Sequence, residues 1–190
     1  MIRDPSLQVN NVHSTTMAHH ALSPVTERSY GIVLVRPSSA NPTSLKSKDV
    51  EVLLIHQHLR PGPRLPSNSL MSLPSSFIAL PKGHKEPADS TDLAAAVREL
   101  HEETGLGMSR ILCGEKAIKE RYTNPRNGKE KENTFWIGLV EGNGERVKIQ
   151  VEEVEGAEWE RMEEAIVKVT YEETKAVLRE AARMLDEEQE

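Results

Sequence analysis

Three glutamates at helical spacing, Glu99, Glu102 and Glu103, are the residues of this chain best suited to carry out chemistry. Positions i, i+3 and i+4 project from one face of an α-helix, within about a third of its circumference. Carboxylates this close repel one another, and at ~4 Å and an effective dielectric constant near 20 each pair costs ~4 kcal/mol. A divalent cation relieves that repulsion, and hard cations such as Mg²⁺ prefer oxygen ligands. The spacing favours either a metal site or an acidic helix face exposed to water.

The residues around these acids predict a turn, a capped helix and a glycine stop. Residues 89–91 offer N-cap side chains, and Asp92 adds negative charge to the first turn. Gly105 can adopt the left-handed conformation that ends a helix. An apolar stripe on the opposite side can pack on a core, so that the acids face outward. This stripe consists of Leu93, Val97, Leu100 and Thr104.

The order of these residues resembles the Nudix box, G-x5-E-x7-R-E-U-x-E-E-x-G-U, in which U is apolar. The matching residues are Gly83, Arg98, Glu99, Leu100, Glu102, Glu103, Gly105 and Leu106. The gap from Gly83 to Arg98 is one residue longer than the pattern. The first glutamate of the motif therefore corresponds to Asp89 counted from Gly83, or to Ser90 counted from Arg98. In the family this residue supports the motif arginine, so the resemblance leaves open how Arg98 is held.

The resemblance implies a fold and a reaction. The fold is α/β (α+β), with a mixed β-sheet sandwiched between α-helices, and the order of strands and helices in the pattern agrees with that class. The reaction is hydrolysis of a nucleoside diphosphate linked to a further group. The cofactor is Mg²⁺ or Mn²⁺, held by the three box glutamates and the backbone carbonyl of Gly83. The general base varies within the family, and Glu153, in an acidic loop before Trp159, is either an additional ligand or base or an exposed residue of that loop.

Basic residues near the box are candidates for binding phosphates. Lys82 and His84 flank Gly83 and can reach phosphate oxygens. Arg60 and Arg64, in a long loop over residues 60–76, are weaker candidates because exposed arginines are usually just solvated.

Aromatic residues are few, and one of them can stack on a nucleobase, worth ~1–3 kcal/mol. The candidates are Tyr122 and Phe135, whereas alternation along a strand favours core packing for Trp136. The segment 80–87, which reads LPKGHKEP, and the pair Phe135-Trp136 resemble the asymmetric diadenosine tetraphosphate hydrolases, which release ATP and AMP. In that subfamily an aromatic side chain at the position of Phe135 helps to hold an adenine.

The sequence leaves open three functions other than the hydrolysis of dinucleoside polyphosphates. Hydrolysis of diphosphoinositol polyphosphates should require a denser basic pocket than Lys82, Lys85, Arg60 and Arg64 provide. Hydrolysis of nucleoside triphosphates is a second activity of the same family. A catalytically silent Nudix-like binding module is a third, but such modules usually lose box acids and all three are present here.

Length and composition limit the domain organisation, the binding partners and the compartment expected for the chain. Its 190 residues suit one domain, predicted over residues 28–187, after a disordered tail over residues 1–27. The net charge of −6 argues against general affinity for nucleic acids. The single Cys113 cannot form an internal disulfide, and no apolar run reaches the length of a membrane span. We expect a monomeric, cytoplasmic or nuclear protein that binds a small nucleotide and neither nucleic acid nor membrane.

Hydrophobic patterning predicts the elements that position these residues. Strands are expected at residues 29–36, 50–56, 77–80, 134–140 and 158–160, with an extended segment over 110–122 and helices at 162–169 and 171–187.

Overall fold

The computed structural model of the chain describes residues 24–39, 44–58, 76–124, 127–143 and 147–188. Arg60, Arg64 and most of the predicted tail and long loop lie outside these ranges. Residues 24–27, predicted as the end of the tail, are described. The backbone N–H of Thr26 donates to the carbonyl of Glu130 at 3.0 Å, and the first strand begins at Glu27.

Within the described residues, eight strands form one mixed sheet and three α-helices pack on it. The strands are β1 (Glu27–Pro37), β2 (Val50–His58), β3 (Ser76–Ala79), β4 (Lys82–Gly83), β5 (Met108–Ile111), β6 (Ile118–Thr123), β7 (Glu130–Val140) and β8 (Val154–Arg161). The helices are α1 (Asp92–Thr104), α2 (Met162–Lys168) and α3 (Glu172–Glu187), and a short 3-10 helix covers Ser47–Asp49.

The centre of the sheet is the long parallel pair of β1 and β7. The edge of β1 that faces away from β7 pairs with two strands. It pairs with β2 only from Val35 to Pro37, and with β4 at Tyr30 and Gly31. β2 pairs with β3 at its end and with β8 from Glu51 to Gln57. β7 carries β6 and β5 on its second edge. β1 and β2 therefore separate after a short common stretch, and the site described below opens where they part.

The sheet separates two cores, which confirms the predicted sandwich. Consecutive residues of a strand point to opposite faces. Ile32 and Trp136 belong to the core that α1 covers, whereas Val33 and Phe135 belong to the core beneath α2 and α3. The runs of apolar residues in β1 and β7 thus reflect strands that are buried on both faces.

Helix α1 has the predicted ends. The side chain of Thr91 accepts a hydrogen bond from the N–H of Ala94 at 3.0 Å, as an N-cap residue does. Gly105 ends the helix with φ of 67°, and its N–H donates to the carbonyl of His101 at 2.8 Å.

Two segments differ from their predicted form. The segment over residues 110–122 consists of β5 and β6, separated by a turn in which Cys113 and Gly114 both have positive φ, at 58° and 63°. The strand expected at 158–160 begins already at Val154, because it pairs with β2 as far as Gln57.

Candidate active site

Asp89 holds Arg98, which answers the question that the irregular box left open. The guanidinium donates from Nε to Asp89 Oδ1 at 3.2 Å and from Nη2 to Oδ2 at 3.0 Å. Nη2 also donates to the carbonyl of His84 at 2.7 Å. The Asp89 side chain is only 7% exposed, and its hydrogen bonds to Arg98 hold the pKa of its carboxyl below the usual range. An aspartate counted from Gly83 therefore takes the place of the first motif glutamate.

Arg98 also organises two of the box acids. Its Nη1 donates to Glu99 Oε1 at 3.0 Å and to Glu102 Oε2 at 2.8 Å. A single guanidinium nitrogen thus lies between two carboxylates that would otherwise repel each other. Burial raises the pKa of Glu99, and the neighbouring Arg98 opposes that rise.

Gly83 permits the close approach of Glu99. A methyl group at this position would overlap the carboxylate of Glu99. Gly83 itself is fixed in β4, where it pairs with Tyr30 of β1. A side chain at this position would therefore push the Glu99 carboxylate away from the turn.

Glu103 is buried, which corrects the expectation that the three acids face outward. It is 1% exposed, and Glu102 alone of the three is exposed. Glu103 Oε1 accepts a hydrogen bond from Gln57 Nε2 at 2.8 Å, and Oε2 accepts one from the N–H of Lys82 at 2.9 Å. The end of β2 and the turn at β4 cover this part of α1. The position of Glu103 on the helix therefore did not predict how exposed its side chain is.

Burial raises the pKa of Glu103 from its usual 4.5 to about 7, and the charge of Lys82 only partly opposes this effect. A carboxylate so far from water needs a compensating positive charge to remain ionised at neutral pH.

The donor set fits a hard divalent cation. Glu99, Glu102 and Glu103 present only carboxylate oxygens, which hard cations prefer. A bound cation would also offset the burial that raises the pKa of Glu103. In the described residues no three His, Cys, Asp or Glu side chains converge on one point as a finished metal site. Two of the carboxylates are instead engaged by Arg98, so a bound cation would have to share them with the guanidinium.

A cavity of about 810 Å³ opens beside the box and contains most of the predicted site. The predicted residues that line it are Lys82, Gly83, His84, Arg98, Glu99, Glu102, Tyr122 and Glu153. Its size lies within the range typical of small-molecule sites. Glu103 lies behind this wall, bonded to Gln57 and Lys82, which do line the cavity.

Two of the predicted site residues have defined contacts at the cavity wall. Lys82 donates from Nζ to Gln57 Oε1 at 3.3 Å, which places its charge at the cavity wall. Glu153 also lines the cavity, and its backbone is fixed by hydrogen bonds with His58 and Gln150, each 3.0 Å long.

Phe135 does not lie in the cavity, which corrects its predicted role in stacking on an adenine. Its side chain is 0% exposed and packs in the core beneath α2 and α3 with Val33 and Ile137. Trp136, directed to the opposite face, is 9% exposed and packs beneath α1, as predicted. Both aromatic rings of this pair are therefore structural.

The aromatic residues that do line the cavity are Phe77, Tyr122 and Tyr171, and only Tyr122 was predicted. The rings of Phe77 and Tyr171 lie 5.5 Å apart and are tilted by 58°. Tyr171 is 38% exposed and directly precedes α3, while Phe77 belongs to β3. No local sequence pattern connects these two residues, since they meet only when α3 packs against the sheet.

Polar residues of the cavity wall were also missed. Gln57 is partly buried and lies next to the last residue of β2. Glu120 follows Ile118 and precedes Tyr122 at alternate positions of β6. The period of two in β6 is a signal that could have identified Glu120, because it assigns an acid to the same face as a buried isoleucine. Lys131 and Thr174 complete this part of the wall.

The model of the NUDIX domain matches residues 28–182, which is most of the chain. The chain belongs to the Nudix family, and it is a Nudix hydrolase. Hydrolases of this family generally use divalent metals. No curated protein matches the chain in sequence.

Solved structures with the same fold include a binary complex of the Ap4A hydrolase of C. elegans. That match has a TM-score of 0.62 and 22% identity, and covers 84% of this chain and 98% of that chain. The NUDIX domain of Shewanella oneidensis NrtR, complexed with ADP ribose, matches with a TM-score of 0.59 and 15% identity over 85% and 90% of the two chains.

A third structure with this fold is a bifunctional NMN adenylyltransferase/ADP ribose pyrophosphatase of Francisella tularensis, complexed with AMP and a manganese ion. It matches with a TM-score of 0.53 and 12% identity, over 85% of this chain and 42% of that chain. At these identities the three similarities establish the fold, and the substrate must be argued from the residues of the cavity. No helix in the described ranges is long and apolar enough to cross a membrane.

Proposed function

We propose that this Nudix hydrolase cleaves dinucleoside polyphosphates, with diadenosine tetraphosphate as the representative substrate and ATP and AMP as products. The observation that carries the proposal is the composition of the cavity. One end presents the box carboxylates, and the same cavity is walled by the aromatic side chains of Phe77, Tyr122 and Tyr171. A substrate with a polyphosphate chain and a nucleobase matches both parts.

The box end of the cavity would hold Mg²⁺ or Mn²⁺ through Glu99, Glu102 and Glu103, with the carbonyl of Gly83 as a further oxygen. When bound, the cation supplies charge neutralisation at the pyrophosphate and lowers the pKa of a water molecule that attacks phosphorus. Arg98 keeps Glu99 and Glu102 in place through its hydrogen bonds to both carboxylates. Gln57 and the N–H of Lys82 fix Glu103 in one orientation.

Cationic side chains of the wall are suited to bind the phosphate chain. The ammonium groups of Lys82 and Lys131 supply this charge at the wall. His84, beside the box, adds a ring N–H donor, and burial and the charge of Lys131 lower the pKa of its imidazole. Phosphate oxygens accept charge-assisted hydrogen bonds from such donors, which are about twice as strong as those between neutral groups. The protein thereby orients the phosphate chain along the acids. Either Glu153 or a box glutamate would take the proton of the attacking water.

The aromatic rings of the cavity wall are suited to bind the nucleoside. Tyr171 is the most accessible of the three rings, and the ring of Phe77 supports it from the side. Stacking of a base on an aromatic ring contributes ~1–3 kcal/mol and tolerates any base. Tyr171 and Tyr122 therefore take over the role that the sequence suggested for Phe135.

The charge of the cavity argues against a diphosphoinositol polyphosphate as the substrate. Six of the described lining residues are acidic and three are lysine or arginine. The acidic residues are Glu86, Glu99, Glu102, Glu120, Glu153 and Glu173. A densely phosphorylated inositol ring would meet too few cations to offset its own charge and that of the wall.

The experiment that tests the substrate is a comparison of kcat/KM for diadenosine tetraphosphate, ATP and a diphosphoinositol polyphosphate, with products separated by chromatography. We expect diadenosine tetraphosphate to be preferred and to give ATP and AMP. Two ADP molecules as products, or a preference for either competitor, would reject the proposed substrate and leave the family assignment unchanged.

A further inference from the structure

Glu120 is a buried acid on the cavity wall away from the box. It is 6% exposed, and it lies on β6 between Ile118, which belongs to the core, and Tyr122, which lines the cavity. These three alternate residues share one face of the strand. Glu120 is thus directed toward the boundary between the core and the substrate cavity.

The carboxylate of Glu120 is oriented by two neutral donors. Asn133, its partner across the β6–β7 ladder, donates from Nδ2 to Oε1. Thr174 of α3 donates from Oγ1 to Oε2 at 3.4 Å. A carboxylate offers about four acceptor positions, so each oxygen keeps capacity for a further donor.

This arrangement costs free energy in the absence of a ligand. A buried carboxylate whose hydrogen-bond partners are both neutral is expensive. Burial raises the pKa of Glu120, and the hydrogen bond from Asn133 and the charge of Lys82 only partly oppose that rise. Asn133 Oδ1 is buried, and within the described part of the chain no hydrogen-bond partner reaches it. A buried acid with a perturbed pKa at the wall of a cavity is a candidate for a functional group, and an unpartnered buried amide oxygen beside it requires an explanation.

We propose that Glu120 determines base specificity by accepting a hydrogen bond from the exocyclic amino group of a nucleobase held against the aromatic wall. The inference rests on the proposed function, because it assigns a base to this end of the cavity. Adenine offers the required donor at its 6-amino group. Hypoxanthine carries an oxygen there, and its lone pairs would face those of the carboxylate.

Binding of AMP and IMP to the full chain in the presence of Mg²⁺ tests the inference without any hydrolysis. Isothermal titration should show AMP binding roughly 5- to 100-fold more tightly than IMP, the ratio that corresponds to one buried polar group left unpaired. Glu120→Gln keeps the shape of the side chain and adds a donor. This variant should lose the preference or reverse it.

The matched control is Glu173→Gln, which removes a charge from an exposed lining residue of the same cavity. We expect it to keep the preference for AMP, and thermal melting identifies a variant that fails to fold. Equal binding of AMP and IMP to the parent protein would overturn the inference without any variant. Retention of the preference in folded Glu120→Gln, an equal loss in Glu173→Gln, or absence of binding by both nucleotides would do so as well.

The two proposals can fail separately. If diadenosine tetraphosphate is not cleaved while AMP is preferred through Glu120, the substrate proposal fails and the specificity site remains. If it is cleaved to ATP and AMP while AMP and IMP bind alike, the inference about Glu120 fails and the substrate proposal remains.

Discussion

Arg98 and Asp89 form a two-point hydrogen-bonded ion pair, with Nη2 of the arginine 3.0 Å from Oδ2 and Nε 3.2 Å from Oδ1 of the aspartate. This pair replaces the glutamate–arginine contact that the Nudix pattern implies, even though one additional residue separates the two positions. Because the same guanidinium holds Glu99 and Glu102, Asp89 acts on the carboxylates through Arg98.

Asp89→Asn should lower kcat/KM by about 10- to 100-fold, the usual effect of losing a group that orients metal ligands. The amide keeps the size of the side chain but not its charge, so Arg98 is held less firmly. Asp92→Asn is a suitable control, since Asp92 lies nearby at an exposed position and pairs with Lys85. Steady-state kinetics of the two variants should differ, and equal activities would show that the ion pair does not position the box.

Gly83→Ala should reduce turnover by at least about tenfold. The added methyl group overlaps the carboxylate of Glu99, which must move away from β4. Gly156→Ala provides the control because a methyl group there meets no atom within 4 Å. Turnover and melting temperature should be measured for both proteins. A fully active Gly83→Ala variant would mean that the close approach of Glu99 to the turn is unnecessary.

Phe135 and Tyr171 should respond differently to replacement by alanine. Phe135→Ala leaves a hole in the core and should destabilise the protein by about 3–5 kcal/mol. Tyr171→Ala should raise KM by roughly 5- to 100-fold while kcat changes little, because stacking acts equally in the ground and transition states. Denaturant unfolding and kinetics separate the two effects. An increase in KM for Phe135→Ala alone would restore the role suggested by the sequence.

Glu103 should make stability depend on pH. A carboxyl whose pKa is raised by folding stabilises the protein below its unfolded pKa, and that contribution is lost as pH rises through the folded value. For Glu103 the window extends from 4.5 to about 7. In chelator, Glu103→Gln should therefore gain stability relative to the parent between about pH 5 and about pH 8, by roughly 3 kcal/mol at most.

Denaturant unfolding at both pH values measures that difference, and a Mg²⁺ titration at the higher pH adds a second comparison. Addition of Mg²⁺ should stabilise the parent more than the variant, because only the parent has the full set of carboxylate charges. A stability difference that stays constant with pH would contradict the assigned burial of Glu103.

The sequence was sufficient for the fold and for the local structure of the box. Hydrophobic runs located β1, β2 and β7, and Thr91 and Gly105 end α1 as helix caps do. These features depend on neighbouring residues and on a motif with fixed spacing, which a single chain displays directly.

The predictions that were wrong concern residues whose surroundings are formed by segments distant in sequence. Helical spacing placed Glu103 beside Glu99 but did not reveal that Gln57 and the turn at Lys82 cover it. Alternation set Phe135 and Trp136 on opposite faces, but the core beneath α3 occupies the face that was expected to carry a base. The cavity wall formed by Phe77 and Tyr171 depends entirely on such packing.

The most direct test of the account is the rate at which diadenosine tetraphosphate is converted to ATP and AMP across a Mg²⁺ titration, for the parent protein and for folded Glu103→Gln. We expect no turnover by the parent in chelator, saturable activation by Mg²⁺, and turnover lower by about 100-fold or more in the variant, since it lacks one charge of the ligand set. Undiminished turnover in chelator, or full activity of Glu103→Gln, would contradict a hydrolase that works through a metal held by the box glutamates.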